Sequence, residues 1–69
     1  MIPMRFEVGT DEFCGEYSRG RQAEDWCKRH GPGSVMFDRL ARYGTPDRWE
    51  WNGGVFQVTR IKPAKGVRA

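Results

Sequence analysis

The sequence predicts a small single α+β domain: an N-terminal strand or hairpin and two short helices packed on a C-terminal antiparallel β-hairpin. Three observations predict this fold. The chain has 69 residues, the size of one domain. Glycine and proline divide residues 18–46 into two stretches with helical periodicity. Residues 48–62, RWEWNGGVFQVTRIK, alternate on either side of Asn-Gly-Gly, the pattern of a hairpin. We place the compact domain at residues 1–62 and expect 63–69 to form a flexible basic tail.

The first predicted element is a strand over residues 2–8, IPMRFEV, in which apolar and polar side chains alternate. The triplet Gly9-Thr10-Asp11 follows it, and these residue types favour a turn. Alternation resumes over residues 13–17, where Phe13, Gly15 and Tyr17 share one side. A second strand that returns along the first is therefore expected.

The first predicted helix covers residues 18–30. Ser18 can accept hydrogen bonds from the free amides of the first turn. One helical face then carries residues spaced at i, i+3, i+4 and i+7, namely Ala23, Trp26, Cys27 and His30. Gly31 and Pro32 follow and are expected to end the helix.

The second predicted helix covers residues 34–43, with Ser34 as its N-cap. An apolar stripe follows at helical spacing, and Gly44-Thr45-Pro46 supplies a stop signal: the stripe is Met36, Phe37, Leu40 and Ala41. A strand is the alternative, because Val35, Phe37, Arg39 and Ala41 also alternate. The cap and stop signals favour the helix.

The C-terminal hairpin is expected to have one apolar and one polar face. Whether the turn is Asn52-Gly53 or Gly53-Gly54, the same four large side chains share a face: Trp49, Trp51, Phe56 and Val58. Half-buried antiparallel sheets normally hide their apolar face. We therefore expect the two helices to cover these side chains. The residues of the other face are then outside: Arg48, Glu50, Asn52, Gln57 and Thr59.

Charge and composition restrict the classes of partner. Twelve basic and nine acidic side chains give a formal charge of +3, but the acids are interspersed among the bases. This balance permits an acidic partner without requiring one. No apolar run reaches the length of a membrane helix, and the first residues do not resemble a secretory signal. The sequence predicts a cytoplasmic protein in a bacterial host, with no membrane contact and reduced cysteines.

The residues offer little for metal binding or catalysis. Cys14, Cys27 and His30 are the candidate soft-metal ligands, whereas a structural zinc site takes four. A Cys27–His30 dyad would also need an orienting group and an oxyanion hole, for which the sequence has no signature. We therefore expect no metal, no cofactor and no enzymatic activity. The segment GPGS at 31–34 could hold an anion before a helix, but a turn between the helices accounts for it better.

One functional hypothesis is a small DNA-binding regulator that resembles a winged helix-turn-helix in the order of its elements. The second helix would then enter the major groove with Asp38, Arg39, Arg42 and Tyr43. Basic residues of the hairpin and tail would contact phosphates; these are Arg60, Lys62, Lys65 and Arg68, together with Arg48.

The favoured hypothesis is a non-enzymatic protein-binding protein. Arginine and tyrosine are prominent in binding hot spots, and the predicted contact residues are Arg39, Arg42, Tyr43, Arg48, Glu50 and Gln57. In size and economy the chain is similar to small accessory proteins of bacteriophages and mobile elements, anti-CRISPR proteins among them. This resemblance implies an inhibitor or modulator of a host protein or nucleoprotein complex that handles nucleic acid. Homodimerisation through an edge strand is a further expectation.

Overall fold

The computed structural model describes residues 4–64 and contains five strands and one helix. All the strands belong to one antiparallel sheet of order β2-β1-β3-β4-β5. In chain order the elements are β1 (Phe6–Gly9), β2 (Cys14–Tyr17), α1 (Gly20–His30), β3 (Val35–Asp38), β4 (Pro46–Trp51) and β5 (Phe56–Ile61). The predicted arrangement of two helices on a hairpin is therefore wrong. The domain is mostly sheet, and the prediction for the tail at 63–69 falls largely outside the described residues.

The predicted second helix is the main error. Residues 35–38 form the central strand of the sheet, in which Met36 lies opposite Val8 on β1 and Trp49 on β4. As a strand, this segment pairs on both sides and joins the N-terminal hairpin to the C-terminal one. A helix would leave the backbone groups of β1 and β4 without partners, which is costly. Leu40, expected in the apolar stripe, is 56% exposed in the following loop.

The N-terminal hairpin agrees with the prediction. β1 and β2 pair antiparallel, with Val8 opposite Gly15. The turn between them is closed by the Thr10 N–H, which donates to the carbonyl of Phe13 at 2.8 Å. The Thr10 Oγ1 in turn accepts from the backbone N–H groups of Glu12 and Phe13. Threonine therefore organises this turn through its backbone and its hydroxyl.

The first helix is confirmed, although its N-terminal cap is not. α1 begins at Gly20, and its N-cap is Arg19, which makes no side-chain capping hydrogen bond, so the assignment of the cap to Ser18 is wrong. At the other end Gly31 adopts φ +90° and donates its N–H to the Cys27 carbonyl at 3.0 Å. This glycine ends the helix as expected.

The core lies between α1 and one face of the sheet, called here the helix face. α1 packs chiefly on β1, β2 and β3. Its buried residues meet those of the strands to form a cluster of Val8, Ala23, Trp26, Cys27 and Met36. The expectation that the hairpin aromatics face the core is confirmed for Trp49, Trp51 and Phe56, which are partly buried against this cluster. Val58 shares their face but is 49% exposed.

The C-terminal hairpin turns at Gly53-Gly54. The Asn52 N–H donates to the Val55 carbonyl at 3.2 Å, and the Asn52 Oδ1 accepts from the N–H groups of Gly54 and Val55 at 2.9 Å. Gly53 has φ +100°, a backbone conformation that glycine adopts without strain. The pairing of β4 with β5 changes register on both sides of Arg48, between Pro46 and Arg48 and between Arg48 and Trp49. The hairpin is therefore bulged at this point.

Between residues 4 and 64, no helix combines the length and the apolar character needed to cross a bilayer.

Candidate protein-binding face

The sheet face opposite α1, called here the outer face, carries a row of side chains that crosses all five strands. The strand registers place Glu16 opposite Glu7, Glu7 opposite Phe37, Phe37 opposite Arg48, and Arg48 opposite Arg60. The row is therefore acidic at the β2 end, aromatic in the centre and basic at the β5 end. In residues 4–64 no second layer covers it, since α1 packs on the helix face.

A second row runs parallel to the first and is more neutral. Its members, from β2 to β5, are Cys14, Gly9, Val35, Glu50 and Gln57. The two rows leave a shallow depression of about 350 Å³, whose lining includes Glu7, Val35, Phe37 and Arg48. Its lining combines the apolar side chains of Val35 and Phe37 with the charged side chains of Glu7 and Arg48, and protein-binding patches show the same mixture.

The acidic end of the face is partly neutralised. The Arg39 guanidinium lies 3.4 Å from the carboxylate of Glu7 and 3.4 Å from that of Glu16. All three side chains are roughly half-exposed, so the pairs are solvent-screened and contribute little to stability. Arg39 nevertheless prevents two neighbouring carboxylates from repelling each other.

The basic end is ordered by a buried carboxylate. The Nε and Nη2 groups of Arg60 donate to the two carboxylate oxygens of Asp47 at 3.1 and 2.9 Å. These hydrogen bonds hold the pKa of Arg60 above its ordinary value. The guanidinium carbon of Arg60 also lies 4.8 Å from the centroid of the Phe37 ring, a cation–π distance. The Phe37–Arg60 pair is thus fixed in place in the absence of any partner.

Arg48 is the cation of this row that has no internal ion pair in the described part of the chain, where the salt bridges involve Arg5, Arg39 and Arg60. It is exposed and lies between Phe37 and Arg60 in register. A guanidinium presents a planar fork of donors suited to carboxylates. Arg48 can therefore pair with an acidic group brought by a partner.

Comparisons of the chain with protein-family models, curated proteins and solved structures return no match. The outer face is therefore the feature of the molecule that points to a function.

The predicted contact residues divide into two groups. Arg39, Arg48, Glu50 and Gln57 lie together on the outer face. Arg42 and Tyr43 are instead exposed in the loop between β3 and β4, and they are not on a helix. The Nζ of Lys62 lies 4.7 Å from the centroid of the Tyr43 ring. Of the predicted phosphate contacts, Lys65 and Arg68 lie outside the described residues.

Phe37 and the two glutamates, Glu7 and Glu16, were not among the predicted contact residues. Phe37 was expected in the apolar stripe of a helix, whereas it is half-buried on the outer face of a strand. The alternation of Val35, Phe37 and Arg39 was the signal that could have found it, because it places all three residues on one face of a strand.

The winged-helix alternative loses the element on which it depended. Residues 34–43 contain no helix that could enter a groove. Asp38, proposed to face bases, is buried and accepts hydrogen bonds from Arg5 Nε at 2.8 Å and Nη2 at 3.0 Å. Its carboxylate stabilises the domain and is not available for base contacts.

The Cys27 thiol of α1 is shielded from solvent, whereas the His30 imidazole is exposed and contacts Trp26. Cys27 is fully buried, and burial together with the nearby charge of Glu24 raises its pKa to about 11. The His30 ring stacks on Trp26 with centroids 3.8 Å apart, and its Nδ1–H donates to the Trp26 carbonyl at 2.9 Å. Among residues 4–64, no cluster of three metal-capable side chains occurs.

Proposed function

We propose that this chain is a non-enzymatic binding protein that docks on a protein partner through its outer face. We further propose that it is a phage or mobile-element accessory protein that inhibits or modulates a host nucleic-acid-handling complex in the bacterial cytoplasm. The observation that carries the docking proposal is the cluster of Phe37, Arg48 and Arg60, which lies at the centre and basic end of the outer face.

The residue types and their order support a protein-binding role. Arginine and aromatic side chains account for much of the energy at interfaces, especially near the centre of a patch. The Phe37–Arg60 pair is already held by Asp47, so little side-chain freedom is lost when a partner binds. Arg48 supplies the charge that an acidic group of the partner would meet.

The distribution of charge favours a protein over a nucleic acid. Lys65 and Arg68 are two of the twelve basic residues, so ten remain in residues 4–64 against nine acidic ones. Glu7, Glu16 and Glu50 lie on the same face as Arg48 and would repel phosphates. A face with both signs of charge instead provides register and specificity toward a partner with the complementary pattern.

The test is affinity capture from bacterial lysates with matched variants. The wild-type chain is expected to retain a stoichiometric partner, and Arg48→Glu is expected to weaken retention by at least about tenfold, as loss of an interfacial hot spot does. Arg21→Glu makes the same charge change at an exposed position of α1 and should retain the partner. Equal retention by both variants would remove the outer face from the proposal.

Duplex DNA provides the opposing arm of the experiment. A DNA-binding regulator would show strongly salt-dependent retention on duplex DNA. The double substitution Arg39→Ala with Arg42→Ala would abolish that retention. If both results are obtained and no protein partner is captured, DNA binding replaces protein docking as the function.

A further inference from the structure

Within residues 4–64 the sheet has two edge strands without a further neighbour, β2 and β5, and they differ in character. β5 is the longer, with six residues, and exposed apolar side chains accumulate along it. Val55 is 59% exposed in the preceding turn, Val58 49% and Ile61 56% on the strand. Unprotected edge strands present free N–H and C=O groups that pair readily with another strand. β5 is therefore the edge that can accept one.

The opposite edge is poorly suited to pairing with a copy of itself. β2 has four residues, and its Glu16 lies opposite Glu7 on β1. A second copy aligned along β2 would bring further carboxylates to this end of the sheet, where the Arg39 guanidinium already pairs with two of them. Like charges on neighbouring strands destabilise a sheet, so self-association is expected at β5 and not at β2.

The backbone of β5 determines which groups are available. The hydrogen bond from the Asn52 N–H to the Val55 carbonyl shows that Val55 faces β4. Inward and outward groups alternate along an antiparallel strand. Gln57 therefore also directs its backbone groups toward β4, whereas the N–H and C=O groups of Phe56 and Val58 point away from the sheet.

We propose that two copies of this chain pair antiparallel along residues 55–59 of each, with the two-fold axis at Gln57. Phe56 of one copy then lies opposite Val58 of the other, and their outward N–H and C=O groups exchange hydrogen bonds. Val55 lies opposite Thr59. The register shift with β4 falls at Thr59, between Val58 and Arg60, and ends the paired segment there.

The chemistry of this segment is self-complementary. Residues 55–59, VFQVT, contain no ionised side chain, so no like charges oppose each other. Arg60, the next residue, is engaged by Asp47. On the helix face the pairing sets Phe56 against Val58, which covers part of the exposed Val58 side chain. Aromatic and β-branched side chains are favourable cross-strand neighbours.

The proposed dimer has a functional consequence. A two-fold axis perpendicular to the sheet keeps equivalent faces on the same side, so both outer faces join into one continuous surface and both α1 helices lie on the opposite side. The Phe37, Arg48 and Arg60 clusters of the two copies would then face a partner together. This inference rests on the β5 edge and does not depend on the proposed function.

A disulfide test addresses the register directly. Gln57 and its symmetry mate would form a non-hydrogen-bonded pair with Cα atoms about 4.5 Å apart, within the range of a disulfide. In a Cys14→Ser background, Gln57→Cys is expected to form a covalent dimer within minutes of mild oxidation. The Cys14→Ser variant with Gln57 retained, in which Cys27 is the remaining cysteine and is buried, is the control and should remain uncrosslinked. Failure of Gln57→Cys to crosslink would overturn the proposed register.

Sedimentation equilibrium tests the association itself. The wild-type chain is expected to be dimeric, and Val58→Lys to raise the dimer dissociation constant by at least about tenfold, because it places two charges in the paired segment. Val58→Pro removes an outward N–H while leaving the β4 ladder intact and should have the same effect. Phe13→Lys changes an exposed apolar residue far from β5 and should remain dimeric. A monomeric wild type, or a dimer unaffected by both Val58 variants in folded form, would overturn the proposal.

Discussion

At the scale of single residues, two buried carboxylates each accept hydrogen bonds from an arginine on a neighbouring part of the sheet. Asp38 is 6% exposed and accepts hydrogen bonds from the Arg5 guanidinium and from the Leu40 N–H at 3.0 Å. Burial alone would raise its pKa, but these hydrogen bonds and the charges of Arg5 and Lys62 outweigh burial, and the pKa lies below its ordinary value. Asp47 occupies the corresponding role for Arg60 on the C-terminal hairpin.

The first prediction concerns Asp38→Asn. The substitution removes a charge-assisted hydrogen-bonded pair and should lower the free energy of unfolding at pH 7 by about 1–3 kcal/mol. Because Arg5 is partly exposed, water can solvate the released guanidinium, which favours the lower part of this range. Urea unfolding of both proteins measures the difference, and Asp25→Asn, at an exposed helix position, is the control.

The pH dependence of this difference has a defined sign. A carboxylate whose pKa is lowered by folding stabilises the native state above its unfolded-state pKa of about 3.9. That contribution is lost as the pH falls through the lower pKa of the folded state. The wild type should therefore exceed Asp38→Asn at neutral pH and converge toward it in acid. A difference that is the same at pH 7 and below pH 3 would contradict this account.

The second prediction separates the two cysteines by reactivity. The buried Cys27 thiol, with its pKa near 11, is mostly protonated at pH 8 and shielded from reagents, and the thiolate is the reactive form. Cys14 is exposed. A colorimetric thiol reagent should modify Cys14 in the native protein and Cys27 only after guanidinium is added. Rapid native labelling of a Cys14→Ser variant would show that Cys27 is accessible.

At the scale of elements, the sequence predicts local structure well where the signal is local. The N-terminal hairpin, α1 and the C-terminal hairpin follow from turn residues, helical spacing and alternation over a few residues. The segment at 34–43 fits both a helical and a strand periodicity. Which of the two it adopts depends on pairing partners far along the chain. Val35–Asp38 pairs with β1, which lies about thirty residues earlier, and no local pattern contains that information.

The turn between α1 and β3 gives the third prediction. Gly31 has φ +90° and ψ −178°, a region that is essentially restricted to glycine. An added Cβ would meet no atom within 4 Å, so the penalty is backbone strain alone. Gly31→Ala should lower the free energy of unfolding by about 1–3 kcal/mol.

The matched control for that turn is Gly9→Ala. Gly9 is not among the glycines with positive φ, and an added Cβ there would make an ordinary contact with the Phe13 carbonyl at 3.7 Å. Chemical denaturation should find this variant close to the wild type. If Gly31→Ala is as stable as Gly9→Ala, the backbone at Gly31 is not under the constraint described.

At the scale of the whole molecule, the sheet brings together residues that the sequence predicted for other reasons. Arg48, Glu50 and Gln57 lie on the outer face because side chains alternate along the two strands of the C-terminal hairpin, as predicted. Arg39 reaches it because β3 is a strand, although it was expected on a helix. Phe37 could not be assigned to this face without knowing that β3 lies between β1 and β4. The candidate site was therefore only partly predictable, since its centre depends on the sheet order.

The last prediction concerns the stability of the whole chain. If two copies pair along β5, dimerisation is linked to folding. A partner that binds only the native state stabilises it by an amount that rises with the logarithm of the partner's concentration. The midpoint of thermal unfolding should therefore rise as protein concentration is increased over about a hundredfold range. Val58→Lys should flatten this dependence, whereas Phe13→Lys should retain it. The midpoints can be measured by circular dichroism in cells of several path lengths. A wild-type midpoint that does not change with concentration would show that the native chain unfolds as a monomer, with the β5 edge open to solvent.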